Sequence, residues 1–90
     1  MSRVKITVYG RVQGVGFRYH TRQKAQELKL TGYVTNKPDH TVEIVADGSD
    51  EQLKALIEWA KKGPERASVR QLEVEECLPI NRFDEFVIES

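Results

Sequence analysis

Gly10-Arg11-Val12-Gln13-Gly14-Val15-Gly16-Phe17-Arg18 joins an alternating apolar run, Val4, Ile6 and Val8, to a helical pattern that begins at or just after the arginine. A strand therefore ends in a glycine-punctuated loop from which a helix departs. A chain builds a small phosphate cradle in this way. Gly14 and Gly16 let the backbone bend so that successive N–H groups point inward as a nest. The helix N-terminus adds the positive end of its dipole. Arg18 offers a forked guanidinium that holds two phosphate oxygens at once. The loop matches neither the nucleotide-binding loop ending in Gly-Lys-Ser/Thr nor the three-glycine dinucleotide fingerprint. Loop composition alone leaves a second reading open: a tight strand-to-helix turn with a surface arginine.

Outward from this loop, residues 3–9 alternate as a strand with Val4, Ile6 and Val8 on one face. The spacing of Thr21, Ala25 and Leu28 predicts a helix over residues 19–30, ended by Gly32. Residues 33–36 read as a short strand, Lys37-Pro38-Asp39-His40 as a turn, and residues 41–47 as a strand with Val42, Ile44 and Ala46 toward the core. Ser49 and Gln52 form a capping box, Asp50 and Glu51 complement the helix dipole, and Leu53, Leu56, Ile57 and Ala60 make one apolar stripe. Gly63-Pro64 stops that helix. Residues 69–77 read as a strand whose broken alternation at Val69, Leu72 and Val74 predicts a bulge. Phe83, Phe86 and Ile88 suggest a last short strand. The order β-α-β-β-α-β plus a terminal strand predicts an α+β, ferredoxin-like sandwich: an antiparallel sheet with two helices on one face.

Ninety residues provide one core and no second, so residues 1–90 are expected to form a single domain. Lys plus Arg equals Asp plus Glu at 14 each, a balance that argues against a nucleic-acid partner. Cys77 is the only cysteine, so no internal disulfide forms, and with two histidines beside it a structural metal site is not expected. The N-terminus lacks the apolar core of a signal peptide, and no run approaches the ~20 apolar residues of a membrane span. A reduced, cytoplasmic, soluble protein is expected, with no membrane partner.

Topology brings Asn36 into play. A first helix of about 12 residues travels back roughly 18 Å from the loop. The strand from Gly32 to Asn36 then climbs roughly 13–16 Å the other way. Asn36 is thus expected at the same sheet edge as the Gly14–Arg18 loop, where its amide can donate one hydrogen bond, accept another, and orient a water against a bound phosphate. A plain turn-forming role before Lys37-Pro38-Asp39 is the competing reading.

The chain resembles the acylphosphatases from end to end. The resemblance is carried by Val8-Tyr9-Gly10-Arg11-Val12-Gln13-Gly14-Val15-Gly16-Phe17-Arg18-Tyr19 and by Leu30-Thr31-Gly32-Tyr33-Val34-Thr35-Asn36-Lys37-Pro38-Asp39. Weaker support comes from Leu53 with Trp59-Ala60-Lys61-Lys62-Gly63-Pro64, from Ala67-Ser68-Val69, and from Phe83 with Phe86-Val87-Ile88. The resemblance implies hydrolysis of an acyl phosphate, a carboxyl-phosphate mixed anhydride, to carboxylate and inorganic phosphate. By position it implies Arg18 as the phosphate-binding catalytic arginine and Asn36 as the residue that positions the attacking water. It implies phosphate binding by Gly14, Val15, Gly16, Phe17 and Arg18, with the backbone amides of about Val15 to Arg18 completing the cradle. It further implies no metal and no covalent enzyme intermediate. No cofactor is expected, and the protein is expected to be a monomer acting on a small-molecule acyl phosphate.

The remaining reactive side chains read as bland. Cys77 lies late in the chain and reads as a small core residue. His20, two residues past Arg18, is expected on a different, exposed face. His40 stands in the turn where similar sequences usually have glycine after aspartate, and His is less at ease at positive φ. Tyr33 stands where tryptophan is frequent. Arg11 and Lys37 flank the site and either attract anions or are simply solvated. Two rival functions are a carbamoyl-phosphate-processing role, known from a similar domain in hydrogenase-maturation carbamoyltransferases, and a non-catalytic anion-binding module. An RNA-binding module of the same order would carry aromatics on a central strand, and Thr41-Val42-Glu43-Ile44-Val45 carries none.

Overall fold

The computed structural model describes residues 1–89. Its elements are β1 (Ser2–Arg11), α1 (Phe17–Glu27), β2 (Thr31–Asn36), β3 (Val42–Gly48), α2 (Asp50–Lys62), β4 (Ser68–Cys77) and β5 (Phe86–Glu89). The strands form a five-stranded sheet in the order β4-β1-β3-β2-β5. Alternation along β1 decides its two faces. Val4, Ile6 and Val8 are buried, whereas Arg3, Lys5, Thr7 and Tyr9 are only partly covered. Val34 of β2 and Val42, Ile44 and Ala46 of β3 join the buried set. Phe17 and Ala25 of α1 and Leu53 and Leu56 of α2 pack on that same face, so one core lies between the sheet and both helices.

The expected βαββαβ order with a terminal strand is therefore present, with one correction to the antiparallel sheet. β1 pairs antiparallel with β3 and β4, and β2 with β3, but β5 runs parallel to β2, Gly32 facing Phe86 and Val34 facing Ile88. The reason is where β5 starts. β4 finishes at Cys77, opposite Arg3 at the foot of β1. The following segment passes beneath the uncovered face, where the Arg3 guanidinium lies 4.4 Å from the centre of the Phe83 ring and bonds the Asn81 carbonyl. Phe83 also meets Tyr33 edge-on at 5.9 Å. The chain emerges at the foot of β2 and has only the upward direction left. Arg3 is anchored in turn by a bidentate pair with the buried Asp47 carboxylate, Nε–Oδ1 2.6 Å and Nη2–Oδ2 2.8 Å.

α1 starts two residues earlier than the apolar spacing suggested and ends three earlier, at Glu27. Phe17 is its first residue and is almost fully buried, so the stripe runs Phe17, Thr21, Ala25, with Leu28 half-covered. Thr21 Oγ1 donates to the Phe17 carbonyl at 2.7 Å, which satisfies a buried hydroxyl. The helix is stopped by Lys29, not Gly32. Lys29 takes the left-handed conformation at φ 63°, its N–H bonds Gln26 O, and the Leu30 N–H bonds Ala25 O. These two bonds are a Schellman motif with lysine in the position glycine usually holds. Gly32 serves β2 instead. At φ 142° a Cβ there would sit 1.9 Å from the Val45 carbonyl oxygen, so the close approach of β3 excludes any side chain.

The second helix follows its sequence signals closely. Gln52 N–H donates to Ser49 Oγ at 3.1 Å and Ser49 N–H donates to Gln52 Oε1 at 2.8 Å, the expected capping box. Leu53, Leu56 and Ala60 are buried, and Gly63 N–H closes on Trp59 O at 2.8 Å. The expected bulge lies in β4: the register against β1 shifts between Tyr9, facing Gln71, and Gly10, facing Val69, leaving Arg70 unpaired. Cys77 departs from expectation. It lies half-buried at the end of edge strand β4, on the side opposite the core with its partner Arg3. An edge strand that ends at the sheet's foot has no helix above that position to enclose a small side chain.

Candidate active site

The top of the sheet is where β1 ends, α1 starts and β2 ends. Between Arg11 and Phe17 the chain turns through Gly14 at φ 74° and Gly16 at φ 79°, both left-handed. A Cβ on Gly14 would meet nothing within 4 Å, so glycine is needed there for conformation and not for room. Val15, between them, is buried in the core, which pins the loop. Val12 is likewise buried. The loop is thus held by two apolar anchors and bent by two glycines.

Gly16 is the N-cap of α1 and carries no capping side chain, and the first turn holds no acidic residue. The first intrahelical bond is His20 N–H to Gly16 O at 3.1 Å. The N–H groups of Phe17, Arg18 and Tyr19 therefore have no helical acceptor. α2 is the internal contrast: its N-terminus is closed by Ser49 and Gln52 and neutralised by Asp50 and Glu51. Only at α1 is the positive end of the dipole left without a counter-charge from its own first turn.

A cleft of about 200 Å³ opens at this point, lined by Gly14, Gly16, Phe17, Arg18 and Asn36, with Val12, Tyr19 and Ile88. Arg18, at the second position of α1, and Asn36, at the end of β2, are 18 positions apart in sequence and meet across it. Gly14, Gly16, Phe17 and Arg18 were expected together here, and they are. Val15, expected with them, does not line the cleft; it is buried in the core. Among the described residues, Asn36 Oδ1 is the one buried side-chain oxygen or nitrogen without a hydrogen-bond partner. The terminal torsion of an asparagine is soft, so its oxygen turns toward a donor in the cleft at little cost.

The two halves of the site are tied by a side chain the sequence reading gave no role. Gln13 Nε2 donates to both the Lys37 and Thr41 carbonyls at 2.9 Å, joining the glycine loop to the turn that follows Asn36. That turn is shaped by Asp39 Oδ1, which accepts from the Thr41 amide at 3.1 Å and hydroxyl at 2.6 Å. These bonds hold the Asp39 carboxyl below its ordinary range. His40 sits in the turn at φ 74°, the positive φ that made histidine unusual there. Lys37 Nζ lies 3.9 Å from a Glu43 carboxylate oxygen.

His20 is exposed, as expected, yet it is not idle. Its Nδ1 lies 2.8 Å from the Gly16 carbonyl oxygen, so Gly16 O receives both the amide and the ring of the same residue. Tyr19 and Ile88 were also unforeseen. Tyr19 follows Arg18 directly, which was a usable signal. Ile88 reaches the cleft only because β5 pairs with β2, and nothing local in sequence announces that. Among the described residues no group of three or more His, Cys, Asp or Glu side chains comes together to hold a metal ion, and no helix is long and apolar enough to cross a membrane.

Comparison with known proteins matches the acylphosphatase family model to residues 4–88. The acylphosphatase of Marinobacter nauticus is 50% identical over 86 residues, which are 96% of this chain and 94% of that one. The crystal structure of acylphosphatase from Bacillus subtilis superposes with a TM-score of 0.96 at 38% identity, covering 100% of both chains. A full-length HypF in phosphate- and nucleotide-bound form superposes at 0.91 with 28% identity over 99% of this chain, which is only 12% of that much longer one.

Proposed function

The chain belongs to the acylphosphatase family, and on that premise we propose how its cleft hydrolyses the carboxyl-phosphate bond of an acyl phosphate. The phosphoryl group lies in the glycine loop. Backbone N–H groups from Val15 to Arg18 and the dipole of α1 face its oxygens. Arg18 grips two of those oxygens with its guanidinium fork and stabilises charge that spreads over them in the transition state. Asn36 accepts a hydrogen bond from a water molecule and aims it at phosphorus. The water oxygen–phosphorus bond forms as the phosphorus–acyl oxygen bond breaks, and the electron pair leaves on the carboxylate. A proton from the water passes to a phosphate oxygen, giving inorganic phosphate.

The chemistry fits the residues present. A carboxylate leaves without help because its conjugate acid has a pKa of roughly 4. No general acid is needed, and the phosphate dianion serves as its own base. Positioning and charge stabilisation remain, which are the main protein contributions to phosphoryl transfer. Among the described residues, the cleft lining carries no cysteine, serine, histidine or carboxylate side chain, which supports direct attack by water over a covalent intermediate. The convergence of Arg18 and Asn36 on one uncapped helix N-terminus is the observation that carries this assignment.

We read the whole chain as one such domain, a cytoplasmic monomer without a nucleic-acid or membrane partner. The balance of 14 basic and 14 acidic residues supports the absence of a nucleic-acid partner, and the single free thiol supports a reducing compartment. The decisive experiment is hydrolysis of benzoyl phosphate with metals chelated, comparing wild type with Arg18→Ala. Wild-type turnover that falls about 10³-fold in the variant is the expected result, by analogy with other phosphate-stabilising arginines. A folded wild-type protein that binds phosphate without turnover would make this an anion-binding module instead.

A further inference from the structure

We propose that Tyr19 is the resting surface for the acyl group and biases the site toward aromatic acyl phosphates. The proposal builds on the acyl-phosphate reading of the same cleft. That cleft, about 200 Å³, is smaller than the roughly 300–1,000 Å³ of sites that enclose a whole organic ligand. It holds the head group and little more. The carboxyl carbon is one oxygen away from phosphorus, so everything beyond it lies at the mouth.

At the mouth the choice of partners is narrow. Of the apolar lining, Val12 and Phe17 are 0% and 1% exposed and Ile88 is half-covered, whereas Tyr19 is 54% exposed. Tyr19 therefore offers the largest free apolar area beside the phosphate cradle. It stands one residue after Arg18 in the first turn of α1. Its ring is already held in place: the His20 ring meets it edge-on at 5.5 Å and the Arg22 guanidinium lies 5.6 Å from its centre. A ring held in advance loses little freedom when a second ring lies against it. Offset or edge-on aromatic pairs span centroid distances of about 4.5–7 Å. A benzoyl ring anchored by its phosphate in the cradle reaches that range, while the methyl of an acetyl group covers almost none of the tyrosine.

The contact is made by both bound substrate and transition state, so its loss appears mainly in KM. The test measures kcat and KM for benzoyl and acetyl phosphate in wild type, Tyr19→Ala and Tyr19→Phe, with inorganic phosphate as competitive inhibitor. Tyr19→Ala is expected to lower the benzoyl-to-acetyl ratio of kcat/KM by roughly 2- to 12-fold, the span of aromatic pair energies. The change should lie in the benzoyl KM, and Tyr19→Phe should keep the wild-type ratio. A ratio in Tyr19→Ala equal to wild type overturns the assignment, as does a loss matched by an equal loss of phosphate affinity. If folded wild type turns over neither substrate, the underlying reading fails first, and the proposal with it.

Discussion

Replacing Asn36 with alanine separates the work of this residue from its structural cost. Asn36 Oδ1 is buried and has no hydrogen-bond partner among the described residues. A buried acceptor left unsatisfied costs about 1–3 kcal/mol, part of which water entering the cleft recovers. Alanine removes that cost and gives up a few side-chain contacts in exchange. The net expectation is a variant as stable as wild type or up to about 1 kcal/mol more stable. In a chain of this size a gain of that kind raises Tm by at most about 4–8 °C. Activity should move the other way. Loss of one preorganised hydrogen-bonding group costs about 10²-fold in kcat, equivalent to about 2.7 kcal/mol of barrier. Inhibition by inorganic phosphate should hardly change, because Arg18 and the loop amides are intact. Thermal unfolding, benzoyl phosphate kinetics and phosphate inhibition on the same preparation give all three values. A variant destabilised by more than about 1 kcal/mol would identify the amide as a structural bond. Collapse of phosphate affinity would place Asn36 in the cradle and not beside the water.

Arg18→Lys keeps the charge and loses the fork, so it should recover little of the activity lost in Arg18→Ala, read in the same kinetic assay. For Tyr33, burial and the hydrogen bond its hydroxyl donates to Glu43 at 2.8 Å push the phenol up to about 12 from an unfolded value of 10.0. A raised folded pKa means that the stabilisation is complete below pH 10 and is lost as pH rises toward 12; Tyr33→Phe should therefore lose less of its urea midpoint than wild type across that window. His40 holds φ 74° with an exposed side chain. His40→Gly should relieve left-handed strain, less the extra freedom of glycine in the unfolded chain, and raise stability by about 0.5–1 kcal/mol in urea unfolding.

Legibility followed how local each interaction is. The capping box at Ser49 and Gln52, the α2 stripe and the β1 alternation depend on neighbours within a few residues, and the fold kept all of them. The C-terminus of α1 was misplaced because Lys29 and Gly32 compete for one rule. Glycine is the better left-handed residue, but Gly32 is consumed by the approach of Val45 from β3, and lysine takes the turn. Cys77 was misplaced because its burial depends on which strand lies at the sheet edge.

By itself the sequence determined the glycine loop, the arginine at the head of a helix, and the order of elements that returns Asn36 to the same end of the sheet. Backbone conformation and hydrophobic period set these, and both are written in short stretches of chain. Tertiary structure alone decided the parallel seating of β5, which brings Ile88 to the cleft. It decided the bond from Gln13 to the turn after Asn36, and the unpartnered oxygen of Asn36 itself. Each of these depends on groups far apart in sequence meeting at fixed distance, and only the packed sheet and helices supply that distance.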